Sequence, residues 1–509
     1  MASATALDTT PSPSAPTSTE PTRDLTAPPR WSPRLWGALF VLCGALFLDG
    51  LDVSMIGVAL PSIGTDLHMS TAALQWVVSG YVLGYGGLLL LGGRSADLLG
   101  RRRVFLIAVA AFAIASLIGG LVDNGTLLIA SRFVKGIAAG FTAPAGLSII
   151  TTTFKEGPAR NRALSIYTLF GASGFSSGLI LGGVMTQIGW HWTLLLPVPA
   201  ALVVLAFGIP LIPRADHSAR TRGHYDILGA ITATSATLLL VYAVVQAPSV
   251  GWGSIRTIGS FVLVAALLAT FVAIERRTPQ PLVRLGILRS GSLVRANLGM
   301  MAMFGSYVGF QFIGTLYMQS LLGWSPLSMA LAFLPAGLLV ALSAPWAGTL
   351  VARIGAPRLI AVGFAALTAG YLLFLRVNVT PRYATAILPT IVLLGIGFAL
   401  AFSALNIQAT SGVVDEEQGL ASGLLQTSGQ LGGAIVMAAV AAVIAAGGQQ
   451  RAASTAQALA AFRPGLVLVS IVGGIGFVVA LSGLRRTRPT GVHREPPAVV
   501  RESELVSID

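Results

Sequence analysis

Two carboxylates and two cations stand where the surrounding sequence gives no other reason for charge. Asp49 and Asp52 interrupt an apolar run from about residue 35 to the helix-breaking Pro61, and Arg132 and Lys135 interrupt a second run across residues 128–136. In each pair the members are three apart and so share one helical face. Roughly 20 apolar residues cross about 30 Å of hydrocarbon. A charged side chain at the middle of such a span costs about 2.5 to 3.5 kcal/mol, and it is kept where it faces protein or a watered cavity and finds a partner. At about 1.5 Å per residue, antiparallel runs bring Asp52 level with Arg132 and Asp49 level with Lys135. One reading is a static ion-pair cluster that orders a bundle, although buried pairs are weak sources of stability. The preferred reading is a proton site, because desolvation favours a protonated carboxyl and a nearby cation opposes it, so small movements shift the balance. Asp52, with Asp49 second, is expected to bind the proton, and Arg132 and Lys135 to tune it.

Composition says what must hold these residues. Of the 509 residues 54% are hydrophobic and only 10% charged, and the mean hydropathy is +0.80. That excludes an ordinary soluble domain and points to a polytopic, all-α membrane protein. Its 59 glycines suit close packing of membrane helices. The single cysteine, Cys43, allows neither a disulfide framework nor a thiolate cluster. A net charge of +13 would suit nucleic acid only if gathered on one folded face, and the arginines are scattered between spans. The five histidines, His68, His191, His217, His224 and His493, fall in loops or tails without ligand spacing. No metal, no cofactor beyond the proton, no nucleic acid and no enzymatic activity are expected.

Apolar runs predict fourteen spans, centred near residues 48, 84, 113, 137, 173, 203, 237, 266, 306, 341, 367, 397, 432 and 475. The tails, 1–33 and 485–509, are too polar or proline-rich to order themselves, and no signal-peptide pattern precedes the first span. An even number of spans puts both tails on one side. Basic residues crowd that side, leaving Arg256, Arg376, Arg382, Arg451 and Arg463 to the other. By the positive-inside rule both termini are cytoplasmic, in an inner (plasma) membrane. Trp76, Trp190, Trp192, Trp252 and Trp324 then fall at the outer interface.

A repeat divides the chain. The stretch from Gly93 through Asp97 and Gly100 to Arg101, Arg102 and Arg103 recurs in degraded form from Gly348 through Gly355 to Arg358, with Ala352 replacing the aspartate. The glycine-rich fifth span likewise matches the thirteenth, a shift of eight spans. Two six-span halves, 34–213 and 279–484, with an inserted helix pair at 214–278, account for that shift. Such halves place a solute site near the midplane between them and expose it alternately to each side.

On these motifs the sequence resembles the major facilitator superfamily, and within it the fourteen-span drug:proton antiporter branch. Residues 51–61 are similar to that branch's first-span signature, with Ser54 for the usual threonine and Gly57 for asparagine; the segment around Arg132 is similar to the fourth-span signature, with Lys135 where glutamine is common. Asp49 and Lys135 are both additions to the pattern, as mutual partners would be. Gly171, Gly174, Gly178, Gly182 and Gly183 resemble the antiporter motif of the fifth span, whose prolines are replaced by Phe175 and Leu179. The resemblance implies a major facilitator fold. It also implies a cytoplasmic latch at Gly93, Asp97, Gly100, Arg101 and Arg102, in which Asp97 caps the third helix and pairs with an arginine across the gap. Physically, Gly174, Gly178 and Gly182 form a small-residue stripe for packing or gating, joined by Gly183.

For the solute, polar side chains on apolar spans are the candidates: Tyr81, Gln311, Tyr317, Gln319, Asn406, Gln408, Gln426 and Gln430. Aromatic and amide groups, with charge confined to the first half, suit an amphipathic organic molecule, although any one amide can serve as an interhelical tie. The glycosylation-like triplets at Asn124 and Asn378 are equally well explained as turns. The expected activity is monomeric, proton-coupled export of amphipathic small molecules. Uptake of an organic solute and a non-transporting sensor or scaffold are the competing readings.

Overall fold

The computed structural model describes residues 31–154, 158–214, 226–278, 284–413, 417–447 and 454–484. Nearly all of both expected tails lies outside them. Fifteen α-helices run through the described residues: α1 Pro33–Asp66, α2 Thr71–Leu99, α3 Arg101–Leu121, α4 Gly125–Thr153, α5 Pro158–Ile188, the four-residue α6 Trp192–Leu195, α7 Pro197–Leu211, α8 Ile227–Val250, α9 Ile255–Arg277, α10 Gly291–Thr315, α11 Pro326–Ile354, α12 Ala356–Phe374, α13 Leu388–Thr410, α14 Gln418–Ala446 and α15 Thr455–Leu484. Twelve stretches among the described residues are helical, long and apolar enough to cross a membrane, one of them α6 with α7. The protein is a multi-pass helical membrane protein. α2 and α10, at 29 and 25 residues, are as long but richer in glycine and polar side chains.

Side chains written into the sequence start these helices. Ser32, Ser70, Asn124, Asp226, Ser254, Ser290 and Ser325 each take an otherwise unpaired first-turn N–H. Asn124 accepts from Thr126 and Leu127, and Asn378 accepts from Thr380, so both triplets are turns, as expected. The first helix departs from expectation. It runs through Pro61 to Asp66, because a proline forfeits one hydrogen bond and crowds one carbonyl, and neighbouring helices hold the turn in place. The repeat survives in backbone shape: Gly100 and Gly355 both adopt positive φ, +95° and +90°, between α2 and α3 and between α11 and α12. Glycine alone enters that region freely.

α1 lies against α5 and α7, and α4 against α2 and α3; in the later part of the chain α10 lies against α14 and α15, and α12 against α13 and α15. The two groups meet where α5 touches α11, α2 touches α14 and α1 touches α10. α8 covers one of these seams, contacting both α2 and α14, with Val241, Val244 and Val245 buried among Tyr81, Ala434 and Ala438. α9 packs chiefly on α8.

The core is divided unequally along the bundle. Away from the end where α1 starts and α15 finishes, Ile56, Val58 and Ile63 of α1 join Phe310, Tyr317 and Met329 in one continuous apolar cluster. Nearer that terminal end the first group keeps a separate core, with Leu39, Phe105 and Phe154 at its centre. Gln319 Nε2 donates to the Val58 carbonyl at 2.8 Å across the far end. The halves are therefore sealed together at the far end.

Candidate functional site

Glycines on both sides of α1 and α4 bring the four charges together. A Cβ at Gly50, between the two aspartates, would stand 2.7 Å from the Gly171 carbonyl of α5, and one at Gly136, beside Lys135, would overlap the Tyr81 carbonyl of α2. Gly84 makes an equally close approach from α2, 2.5 Å from the Phe133 carbonyl. With no side chains in the way, backbones pack tightly enough to bury whatever lies between them.

Asp52, Arg132 and Lys135 are fully buried there. Arg132 Nη1 donates to one Asp52 oxygen and Lys135 Nζ to the other. Arg132 Nε also donates to the Val77 carbonyl at 3.2 Å, and its guanidinium lies 4.7 Å above the Tyr81 ring. Lys135 donates to Ser116 Oγ at 2.8 Å, Ser116 in turn donates to the Leu194 carbonyl at 2.6 Å, and the ammonium sits 4.6 Å over the Phe112 ring. Asp49 is buried too, yet its Oδ2 has no hydrogen-bond partner among the described residues.

The expected pairing of Asp52 with Arg132 is present, and the expected pairing of Asp49 with Lys135 is not. Lys135 reaches past the level of Asp49 because its flexible stem lets one ammonium serve both Asp52 and Ser116. Ser116, Phe112 and Val77 were not foreseen. A serine inside an apolar helix was the available signal for the first, and a backbone carbonyl leaves none.

The glycine stripe packs α5 on α1. Cβ atoms at Gly174 and Gly178 would overlap Phe47 and Ser54, and one at Gly182 would stand 2.8 Å from Met55 Cα. Gly183 faces α11 instead, 2.8 Å from Leu327 Cα. In the latch segment Gly93 and Asp97 lie on α2, and the Asp97 side chain lies outside the described residues. Gly100 makes the turn, Arg101 opens α3, and Arg102 Nη2 donates to the Ile209 carbonyl at 2.5 Å, at the end of α7 in its own half. Arg102 therefore caps a neighbouring helix, whose exposed carbonyls attract a cation.

Several cavity candidates are structural ties. Tyr317 donates to the Asn378 carbonyl at 2.6 Å, Gln319 closes the far end, Asn406 donates to Phe402 on its own helix, and Gln408 exchanges hydrogen bonds with Ser292. Tyr81 belongs to the charge cluster. Gln311 remains near the α1 seam, its Nε2 3.4 Å from where a Gly57 Cβ would be, while Gln430 approaches Gly86 of α2 and Gln426 is half-buried on the same helix. Sequence reasoning missed a half-buried aromatic group: Phe175 of α5 lies 6.3 Å from Tyr307 of α10, which lies 4.9 Å from Phe398, itself stacked on Phe402 at 5.5 Å.

Residues 42–437 match the Major Facilitator Superfamily. The chain belongs to that superfamily. This facilitator is a transporter rather than an enzyme, and several of its relatives are named as resistance or export proteins. It is 36% identical over 478 residues to the cephamycin export protein CmcT of Amycolatopsis lactamdurans, covering 92% of this chain and 95% of the relative. Over 415 residues it is 36% identical to the puromycin resistance protein pur8 of Streptomyces alboniger, covering 80% and 81%. The fold agrees: the POT family transporter PepTSo superposes with a TM-score of 0.63 at 16% identity, covering 90% of this facilitator and 99% of that chain. The xylose transporter XylE from E. coli gives 0.61 at 15%, covering 90% and 98%.

Proposed function

We propose that this facilitator is a fourteen-span, proton-coupled exporter that expels amphipathic antibiotic-like molecules across the plasma membrane by alternating access. α2 and α10 complete the spans, α8 and α9 form the inserted pair, the protein acts as a monomer, and both termini face the cytoplasm. The carrying observation is the buried cluster of Asp52, Arg132 and Lys135 beside Asp49, in a chain whose relatives confer antibiotic resistance or export.

The state described, sealed at the far end, is the one in which a cytoplasmic solute is admitted. The aromatic group from Phe175 to Phe402, together with Gln311 of α10 and Gln426 and Gln430 of α14, supplies flat apolar faces and a few amides, which suits a drug-sized amphiphile. Protonation changes in the α1 carboxylates alter how tightly α1 holds α4, and that biases the halves between their two arrangements.

The test is a susceptibility panel in a pump-deleted host, comparing puromycin, a cephamycin, lincomycin and tetracenomycin C with and without the gene and a protonophore. Resistance to at least one compound, lost on collapse of the gradient, is the expected result. Unchanged susceptibility throughout, or accumulation of a compound in the expressing cells, contradicts export.

A further inference from the structure

The two α1 carboxylates are not equivalent, and resting on the proton-coupled reading above, we infer that Asp49 rather than Asp52 carries the exchanged proton, while Asp52 stays ionised as a fixed counter-ion. Each oxygen of Asp52 already accepts from a cation, one from Arg132 and one from Lys135. A proton added there would be placed against two donors, and both buried cations would lose their counter-charge. Asp49 has the opposite surroundings. It is buried, and its Oδ2 accepts from nothing among the described residues. Left ionised it is an unpaired charge in an apolar bundle; carrying a proton it is a neutral polar group whose burial costs far less.

The groups around Asp49 agree with this division. On α1 itself stands Asp52; α2 contributes Tyr81 and Tyr85, α4 contributes Lys135, and α5 contributes Tyr167. α7 carries no titratable side chain, and α10 approaches α1 through the neutral Gln311. The tyrosines are neutral at physiological pH, so among the described residues the mobile positive charge facing Asp49 is Lys135, because Arg132 is held by Val77 and the Tyr81 ring as well as by Asp52.

Lys135 therefore has a second position available. Its ammonium has three donors, of which one is on Asp52 and one on Ser116. When Asp49 releases its proton to water, the new carboxylate attracts Lys135 while Arg132 keeps Asp52 paired. When Asp49 takes a proton from the other side, Lys135 returns to Asp52 and Ser116. The exchange moves one ammonium by one helical turn and ties the protonation state to the fit of α4 on α1 and α3. Ser116 is then a positioning residue that holds Lys135 in the loaded state.

The test needs no substrate: pH-step infrared difference spectroscopy of the purified full-length protein in lipid, between neutral and alkaline pH, where exposed carboxylates no longer titrate. The wild type is expected to lose a protonated-carboxyl carbonyl band as pH rises. Asp49→Asn abolishes that band, Asp49→Glu restores it at a different frequency, and Asp52→Asn keeps it. A band that persists in Asp49→Asn overturns the assignment, as does a wild type without one. Should Asp52→Asn fail to fold, the two Asp49 variants decide alone, since removing an unpaired acid strands no cation. A present, Asp49-dependent band together with a negative drug panel rejects the export reading and leaves the proton assignment standing.

Discussion

Gly178 of α5 sits directly on Ser54 of α1, so close that a Cβ would overlap the serine hydroxyl and stand 2.5 Å from the Leu51 carbonyl. Ser54 cannot turn away without breaking its hydrogen bonds to the Gly50 and Leu51 carbonyls, both at 3.1 Å. Gly178→Ala must therefore push α1 from α5 within two residues of Asp52. Overpacking of this kind costs about 1 to 3 kcal/mol. The variant is expected to reach the membrane at near-normal abundance and to confer no resistance; full resistance would show that the close approach is dispensable.

Asp52 compensates two cations, so its removal should damage the fold itself. Asp52→Asn strands Arg132 and Lys135, and Arg132→Met leaves Asp52 with a single partner. Breaking a buried pair costs about 3 to 5 kcal/mol. Thermal unfolding in detergent should show a clear drop for both, whereas Ser116→Ala, losing one hydrogen bond worth about 1 kcal/mol, should fall only slightly. Equal stability of Asp52→Asn and wild type would mean that water, not protein, compensates these charges.

The seal at the far end rests partly on Gln319 bonded to the Val58 carbonyl. Gln319→Ala removes about 1 kcal/mol, roughly a fivefold shift in a two-state equilibrium. With the buried Cys43 replaced, a cysteine introduced at Leu327, which faces Gly183, should label several-fold faster from outside in the Gln319→Ala background. Unchanged labelling would show that the apolar contacts alone hold the seal.

Phe398 stacks on Phe402 and leans on Tyr307 and Phe304, 4.9 and 5.8 Å away. If these rings receive the drug, Phe398→Ala should reduce resistance most for flat aromatic compounds and least for small polar ones. A uniform loss across the panel would point to a packing role instead.

The sequence announced its membrane helices and the burial of four charged residues, because an apolar run and a charge inside it each have one economical explanation. It also carried the Asp52 and Arg132 pairing, which follows from depth alone. Which cation serves which acid was not legible, since Lys135 chooses its partner through the Ser116 hydroxyl and the Phe112 ring, both contributed by α3. The amides misled for a similar reason. Gln319, Tyr317 and Gln408 look alike as polar interruptions, and only three-dimensional neighbours reveal that each is already spent on a backbone carbonyl. The aromatic group was hidden because its members come from α5, α10 and α13, with no spacing in common.

The central claim is that drug leaving is paid for by a proton crossing through the α1 and α4 cluster. The most direct measurement follows a pH-sensitive dye inside inverted membrane vesicles as a panel-positive antibiotic is added after an acid interior is established. Wild-type vesicles should lose acidity on drug addition, and Asp49→Asn vesicles should not, although they still exchange labelled drug across the membrane. Equal drug-dependent loss of acidity in both would contradict the account.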